Sequence, residues 1–340
     1  MKRTNFTDPT ADPFAERRRP ALRRKCRLLG GDFVFETDSP QLLRIVGQAY
    51  GALPRHTLGR PPSLRVRLRL EPRSRRPLRG DPPLLGALAA PGMCLGALDG
   101  SGFAVIVPRE RSALISVPRS MLRFPYHLRY ELIEFAVYML AARVQQLVPL
   151  HAACVGLGGR GVLLLGPSGA GKSTLALGCL LRGFDFLAED SVLAEPATLR
   201  ATGIANYIHV RRDALRFVDD RGMARELGRA ATIRRRSGVR KLEIDLRQGG
   251  LRLARAPLQI AAAVFVSADS ARPGKSLLPL RRRDAIARLA AEQPYAAAQP
   301  GWRAFARAAA RIPAYELRRS GPPRDGITAI ENLLRQARRR

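Results

Sequence analysis

Strict alternation of apolar and polar residues marks the first part of the chain. Over residues 63–70 every second residue is apolar and the residues between them are arginines, which predicts a strand with one solvent-facing, basic side. The apolar runs 103–107 and 113–117 predict a hairpin. Residues 27–36 predict another strand, and Ser39 followed by Pro40 predicts the start of a helix that reaches Tyr50. We therefore expect residues 26–125 to form a small, mostly β module of the α+β type.

From residue 126 onward, apolar residues at helical spacing alternate with short apolar runs. The helical spacing predicts helices over 126–148, 174–181, 283–292, 302–310 and 326–337. The apolar runs predict strands over 152–155, 162–165, 184–188, 206–210, 239–246, 260–266 and 314–317. Strands that alternate with helices are typical of an α/β fold. Residues 126–340 are therefore predicted to form one α/β nucleotide-binding domain.

A glycine-rich motif lies between the apolar run 162–165 and the helix predicted from 174. The spacing Gly166-x-x-x-x-Gly171-Lys172-Ser173 matches the P-loop pattern, and its strand, loop and helix come in the required order. Glycines allow backbone N–H groups to approach a polyphosphate closely, and the start of the helix favours negative charge. The predicted nucleotide-binding residues are Gly166, Pro167, Ser168, Gly169, Ala170, Gly171, Lys172, Ser173 and Thr174.

The motif specifies its cofactors, ATP and Mg²⁺. Lys172 should reach the β- and γ-phosphates, and the Ser173 hydroxyl should bind the Mg²⁺ that bridges them. Glu189 and Asp190 follow the strand predicted at 184–188, which we expect beside the P-loop strand. Adjacent acids at a strand end point to different sides, so one could contact the metal and the other the acceptor.

Composition indicates where the protein acts and which partners it binds. No apolar run is long enough to span a bilayer and the N-terminus has no apolar signal core, so we expect a cytoplasmic protein without a membrane partner. The four cysteines form no C-x-x-C pair, which argues against a disulfide framework and against a zinc site. The net charge of +31 would attract polyanions such as an acidic peptide, although an arginine bias spread along the whole chain through genome base composition is an equal interpretation. The arginine runs at 17–19, 234–236, 281–283 and 338–340 lack interleaved aromatics, so we expect solvated faces and no specific nucleic-acid partner. Residues 1–25 are predicted to be a disordered basic arm.

Three segments together resemble a known family. Leu150-His151-Ala152, the loop 166–173 and the stretch 182–190 are similar to the catalytic domain of HPr kinase/phosphorylase and its relatives. That family shares its P-loop core with ATP-dependent phosphoenolpyruvate carboxykinase, so the resemblance implies an α/β core of this type. It also implies a general base at Glu189, a metal-side acid at Asp190 together with Ser173, and a site role for His151. Without the resemblance, His151 would be interpreted as a structural histidine.

Other features depart from HPr kinase itself. The glycine-rich signature of HPr kinases is not evident after residue 200, which argues against HPr as the substrate. Related kinases often carry a basic residue near Arg211, so Arg211 or Arg212 could clamp a phosphate, although an ordinary exposed arginine is an equal interpretation. His209 is interpreted as structural. HPr kinases form hexamers, which leaves a homo-oligomer open.

The resemblance implies an ATP-dependent serine kinase acting on a protein or peptide. Related kinases include tailoring enzymes of ribosomally made peptides, so a ribosomally made precursor is one acceptor class, and an acidic peptide would suit this basic chain. The alternative hypothesis is a non-catalytic ATP-binding regulatory or assembly protein.

Overall fold

The computed structural model is a mixed α/β protein whose strands form three sheets. It describes residues 22–71, 82, 84–90, 93–98, 102–271, 276–319 and 321–339. Residues 1–21 of the predicted basic arm lie outside the described residues, whereas residues 22–25 belong to the first strand. No described helix is both long and apolar enough to cross a membrane.

The first half of the chain builds one sheet and the helices that cover it. Its strands are β1 (Leu22–Leu28), β2 (Gly31–Thr37), β3 (Ser63–Glu71), β4 (Leu85–Ala90), β5 (Met93–Leu98), β6 (Gly102–Val107) and β7 (Ser112–Pro118). Its helices are α1 (Pro40–Tyr50), α2 (Pro125–His127), a π-helical segment (Leu128–Glu134) and α3 (Phe135–Gln145), with 3-10 turns at Pro108–Glu110 and Arg119–Arg123.

The seven strands pair in the order β1-β2-β3-β7-β6-β5-β4. The alternation in β3 is confirmed, because Leu64, Val66 and Leu68 are buried and the arginines between them are not. The predicted hairpin is β6–β7, which pair antiparallel. Helix α1 begins as expected, since the Ser39 hydroxyl accepts a 3.3 Å hydrogen bond from the Leu42 amide.

The strand predicted over residues 27–36 is wrong as a single element. The chain folds back at Leu29 and Gly30, whose φ angles are 51° and 81°, and β1 pairs antiparallel with β2. A two-residue turn with both φ angles positive matches the twist of a hairpin, and glycine lowers its cost. The apolar character of Leu28 and Leu29 concealed this turn in the sequence.

The second half contains the remaining elements. Its strands are β8 (Val148–Leu150), β9 (Ala153–Leu157), β10 (Arg160–Leu165), β11 (Asp185–Ala188), β12 (Val192–Ala194), β13 (Arg200–Gly203), β14 (Tyr207–Val210), β15 (Ala231–Arg234), β16 (Arg240–Asp245), β17 (Leu258–Ser270), β18 (Leu277–Pro279) and β19 (Ala314–Arg319). Its helices are α4 (Lys172–Leu181), α5 (Arg221–Gly228), α6 (Arg282–Glu292), α7 (Pro294–Ala297), α8 (Trp302–Ala309) and α9 (Pro323–Arg339), with a 3-10 segment at Arg212–Phe217.

A nine-stranded sheet forms the centre of this half. The long, apolar β17 pairs in parallel with β10 on one edge and with β19 on the other. Strand β9 pairs antiparallel with both β10 and β11. Strands β14, β16 and β15 form a separate three-stranded sheet. Because β10 and β11 run in the same direction, their carboxyl ends lie at one edge of the large sheet.

The helix predicted over residues 126–148 is present as α2, the π-helical segment and α3, and it ends at Gln146, whose φ is 54°. Its apolar side belongs to the core of the seven-stranded sheet, with Leu132, Val137 and Leu140 fully buried. The polar side of the π-helical segment faces the carboxyl edge of the nine-stranded sheet, as the contacts of Tyr130 below show.

Candidate functional site

The glycine loop connects β10 to α4. Gly166, Gly169 and Gly171 have φ angles of 128°, 85° and 111°, a region that disfavours side chains. A Cβ atom on Gly166 would lie 2.4 Å from the Val266 carbonyl oxygen of β17. At Gly169 and Gly171 the same atom would meet nothing within 4 Å. The loop is therefore packed against the sheet at its first glycine and open at the other two.

Lys172 begins α4 and folds back over this loop. Its ammonium donates hydrogen bonds to the Gly166 carbonyl at 2.6 Å and to the Pro167 carbonyl at 3.1 Å. Burial lowers the pKa of Lys172, although the nearby carboxylates of Asp190 and Glu189 oppose this shift. The ammonium is thus held at the mouth of the loop by carbonyl dipoles.

Ser173 contacts the first of the two predicted acids. Its hydroxyl donates a 2.7 Å hydrogen bond to Glu189 Oε1. The expectation that the strand 184–188 lies directly beside the P-loop strand is wrong, because β9 separates β11 from β10. The contact still forms, since β10 and β11 end at the same edge of the sheet. The Ser173 hydroxyl thus contacts Glu189 rather than Asp190.

Asp190 points to the opposite side of the turn. Its Oδ2 accepts hydrogen bonds from the Tyr130 hydroxyl at 3.1 Å and from Arg235 at 3.2 Å. The imidazole of His151, 59% exposed, places Nε2 3.3 Å from Oδ1. Burial would raise the pKa of Asp190, but the His151 hydrogen bond and the Arg235 charge outweigh burial and hold the pKa well below its usual range.

Glu189 also belongs to a chain of buried polar groups. Its Oε2 accepts from the His209 backbone amide at 2.8 Å and lies 2.9 Å from His209 Nδ1. His209 Nε2 lies 3.1 Å from Glu243 Oε1, and Glu243 pairs with Arg129. Burial alone would lower the pKa of His209, but the hydrogen bonds with Glu189 and Glu243 raise it. A protonated imidazole between two carboxylates is therefore favoured.

The chain of polar groups continues into the first half of the protein. Arg129 lies 3.7 Å from Glu134, which accepts a 3.2 Å hydrogen bond from Asn206. The Asn206 amide also donates to the Ala49 carbonyl at the end of α1. Burial raises the pKa of Glu134, while Arg129 and Asn206 oppose this shift. Glu189 is thus positioned by a network whose residues come from four separate parts of the chain, around positions 49, 129–134, 206–209 and 243.

Two cavities meet at the turn formed by Glu189 and Asp190. The larger, about 930 Å³, runs along the glycine loop from Ser168 to Thr174 and reaches Asp190, Arg211 and Arg235. The smaller, about 440 Å³, lies behind the turn and is lined by Glu134, Tyr138 and Asn206. Tyr130, Asp190 and His209 line both. The larger cavity has the size of a small-molecule site.

The remaining predicted phosphate-binding residue, Arg211, makes few contacts. Its side chain is 67% exposed, lies 3.4 Å from Asp213 and lines the larger cavity. Arg212 donates a 3.1 Å hydrogen bond to the Gly228 carbonyl. Neither arginine touches the glycine loop in the contacts that the structure describes. The contacts of Arg211 are therefore those of an ordinary exposed arginine.

Mg²⁺ was predicted from the loop, and the donor atoms present fit this metal. No group of three or more His, Cys, Asp or Glu side chains in the described ranges is arranged to hold a metal ion. Mg²⁺ bound with nucleotide phosphates needs only one or two protein oxygens. The Ser173 hydroxyl, which lines the larger cavity, and the Glu189 carboxylate supply such oxygens 2.7 Å apart.

Sequence reasoning missed several residues around the two acids. The arginine run 234–236 was interpreted as a solvated face, but Arg235 is largely buried between Asp190 and Tyr130, whose ring lies 5.0 Å from its guanidinium carbon. His209 was interpreted as structural, and its contact with Glu189 could not be foreseen from spacing. In β16 Glu243 alternates with the apolar Leu242 and Ile244, a pattern that by itself predicts a solvent-facing glutamate, so the sequence carried no signal for this contact.

Comparisons with known proteins give little information about the function of this chain. No family model matches the chain, and no curated protein sequence matches it either. Among solved structures, the chain is similar to the Hpr(Ser) kinase/phosphatase from Coxiella burnetii, with 14% sequence identity and a TM-score of 0.26. The match covers 56% of this chain and 90% of that chain. This likeness is too slight to support an argument about activity. Any such argument rests on the residues described above.

Proposed function

We propose that this protein binds Mg·ATP along the glycine loop and transfers the γ-phosphoryl group to a serine hydroxyl of a protein or peptide. One observation carries the proposal: the Ser173 hydroxyl, which lines the larger cavity together with Asp190, is hydrogen-bonded to a second, buried carboxylate, Glu189. A P-loop kinase needs a hydroxyl and an acid on the metal side and another group to orient the acceptor.

Each residue has a defined task in this proposal. Lys172 exchanges its contacts with the loop carbonyls for phosphate oxygens, and open backbone at Gly169 and Gly171 donates N–H groups to them. Ser173 and Glu189 would hold Mg²⁺, which would supply positive charge beside the phosphates. The contacts favour Glu189, rather than Asp190, for this role.

Asp190 is then the group that orients the acceptor. The serine oxygen forms a bond to the γ-phosphorus as the bond to the ADP oxygen breaks, and the serine proton passes to a carboxylate oxygen of Asp190. The lowered pKa of Asp190 makes it a weak base, which suits a loose transition state that needs little proton transfer. His151 and Arg235, bonded to the same carboxylate, lie where they can contact the transferred phosphoryl group.

Calorimetry with Mg·ATP tests the binding step, with Lys172→Ala as the variant and Lys25→Ala, on the exposed strand β1, as the control. Loss of a charged hydrogen-bonding group should weaken binding about ten- to a hundredfold in Lys172→Ala. Binding by the control should match that of the wild-type protein. Absence of Mg·ATP binding by the wild-type protein would overturn the proposal.

A second candidate, a non-catalytic ATP-binding protein, is favoured by one observation. Both oxygens of Glu189 already accept hydrogen bonds, one from Ser173 and the other from His209. A carboxylate engaged in this way suits a sensor as well as an enzyme. The two candidates differ in labelled-phosphate transfer to serine peptides, because the sensor binds Mg·ATP and is stabilised by it without transferring phosphate.

A further inference from the structure

One side of the larger cavity carries basic side chains from two neighbouring elements. They come from the segment 211–217 and from the β15–β16 hairpin, and we call them the basic wall: Arg211, Arg216, Arg235, Arg236 and Lys241. Three have carboxylate partners, since Arg211 pairs with Asp213, Arg235 with Asp190 and Arg236 with Glu131. Within the described ranges, Arg216 and Lys241 make no ion pair with a carboxylate.

Lys241 lines the same cavity as a like charge, that of Lys172. It is half-buried on β16, and its charge adds to the effect of burial in lowering the pKa of Lys172. The chain has lysine at only five positions (2, 25, 172, 241 and 275) among its 59 basic residues, and two of these five line this cavity. Two ammonium groups that face one cavity favour the binding of an anion there, in addition to the carboxylates near Lys172.

Apolar residues are exposed on the same wall. Phe217 is 36% exposed and Val239 is 39% exposed, and both line the cavity. The guanidinium carbon of Arg216 lies 4.6 Å from the centre of the Phe217 ring. Small inorganic anions make no use of exposed apolar side chains, whereas a peptide with mixed acidic and apolar residues would cover both kinds of group.

The position of the wall relates it to the reaction. Arg235 joins the wall to Asp190, and Lys241 lines the same cavity as Lys172 of the glycine loop. An acceptor serine placed at Asp190 would therefore have its flanking residues against Arg216, Phe217 and Lys241. This inference rests on the proposed function, because it identifies the class of acceptor that the same site takes.

We propose that the basic wall binds the residues flanking the acceptor serine, and that the acceptor is a peptide segment with acidic side chains beside the serine and an apolar residue over Phe217. Carboxylates of the peptide then pair with Arg216 and Lys241. Phosphorylation occurs within an acidic sequence, so the wall sets substrate preference rather than the chemistry of transfer.

Fluorescence anisotropy tests this binding directly. The probe is a labelled peptide with a central serine flanked by glutamate and leucine residues, compared with the same peptide carrying glutamine for each glutamate. The double variant Arg216→Gln, Lys241→Gln should bind the glutamate peptide about tenfold more weakly than wild type. The matched control, Arg303→Gln with Arg307→Gln on the exposed side of α8, removes the same charge elsewhere and should change affinity less than about twofold.

Three outcomes would overturn the inference. Equal loss of affinity in the control would show nonspecific attraction to a chain of charge +31. Equal binding of the glutamine peptide would show that acidity is not recognised. An oligonucleotide that binds more tightly than the peptide and loses affinity in the same double variant would identify the wall as a nucleic-acid surface. Specific peptide binding without phosphate transfer from Mg·ATP would instead contradict the proposed kinase and leave the peptide site intact.

Discussion

The hydroxyl of Ser173, on the first turn of α4, is 2.7 Å from the Glu189 carboxylate that follows β11, although β9 separates the strands that precede these residues. This contact joins the glycine loop to the chain of polar groups that runs through His209, Glu243 and Arg129. Any ligand that displaces the hydrogen bond at Ser173 therefore acts on a carboxylate whose other oxygen is fixed by His209.

Replacement of Glu189 and of Asp190 by their amides should have different effects on nucleotide binding and on the rate of phosphate transfer. In Glu189→Gln the side chain keeps its shape but loses its charge beside Ser173, so we expect Mg²⁺-dependent ATP affinity to fall about 10- to 100-fold. In Asp190→Asn the nucleotide affinity should stay close to wild type while the transfer rate falls about 100-fold or more. Calorimetry with and without Mg²⁺ and single-turnover transfer assays measure the two effects.

Glu195→Gln is the matched control, because Glu195 lies beyond the next strand and bonds to Thr198 rather than to the loop. It should leave both measurements unchanged. If Asp190→Asn lowered Mg²⁺ affinity and Glu189→Gln lowered only the rate, the assignment of the two acids would be reversed.

The pH dependence of stability should depend on His209. Its pKa is raised in the folded protein, so the stabilisation by its protonated form is complete below the unfolded pKa and is lost as pH rises through the folded pKa. The melting temperature of wild type should therefore exceed that of His209→Gln by more at mildly acidic pH than at alkaline pH. Thermal unfolding across this range measures the difference.

His56 is a control whose pKa is shifted in the opposite direction. It is buried between the Thr202 hydroxyl and the Ala254 carbonyl, and burial lowers its pKa. Its contribution to stability is present above the unfolded pKa and is lost as pH falls through the folded value. The advantage of wild type over His56→Gln should therefore shrink towards acidic pH. A parallel trend in the two variants would contradict the role given to His209.

Local sequence patterns predicted individual helices, strands and loops better than they predicted which of these elements lie side by side. The glycine loop, β3 and α1 follow from local rules of spacing and capping, and the structure contains them. The contact between Glu189 and His209 depends on the pairing of strands far apart in the chain, which local patterns do not encode. Arg235 was misjudged for a related reason, because a run of arginines gives no sign of which one turns inward to a carboxylate.

Removal of the Arg129 side chain should destabilise the fold strongly. Arg129 lies between Glu134 and Glu243, and all three side chains are almost entirely buried. Arg129→Met leaves Glu134 without its cation and Glu243 with His209 alone, and breaking a buried ion pair in this way typically costs about 3–5 kcal/mol. Denaturant unfolding measures the loss. The exposed pair of Arg335 with Glu331 is the control, and Arg335→Met should cost less than about 1 kcal/mol. Similar losses in the two variants would show that the buried network is no more important than a surface pair.

Substitution of single glycines should separate packing of the loop from its ligand contacts. Gly166→Ala places a methyl group against the Val266 carbonyl at a φ of 128°, so we expect a loss of stability above about 1 kcal/mol. Gly169→Ala meets open space at a positive φ, so its main effect should be weaker Mg·ATP binding with a smaller loss of stability. Gly59→Ala, at an open position, is the control and should be nearly neutral. Unfolding and calorimetry on the three variants check the order, and a Gly169→Ala protein with unchanged nucleotide affinity would exclude this part of the loop from phosphate binding.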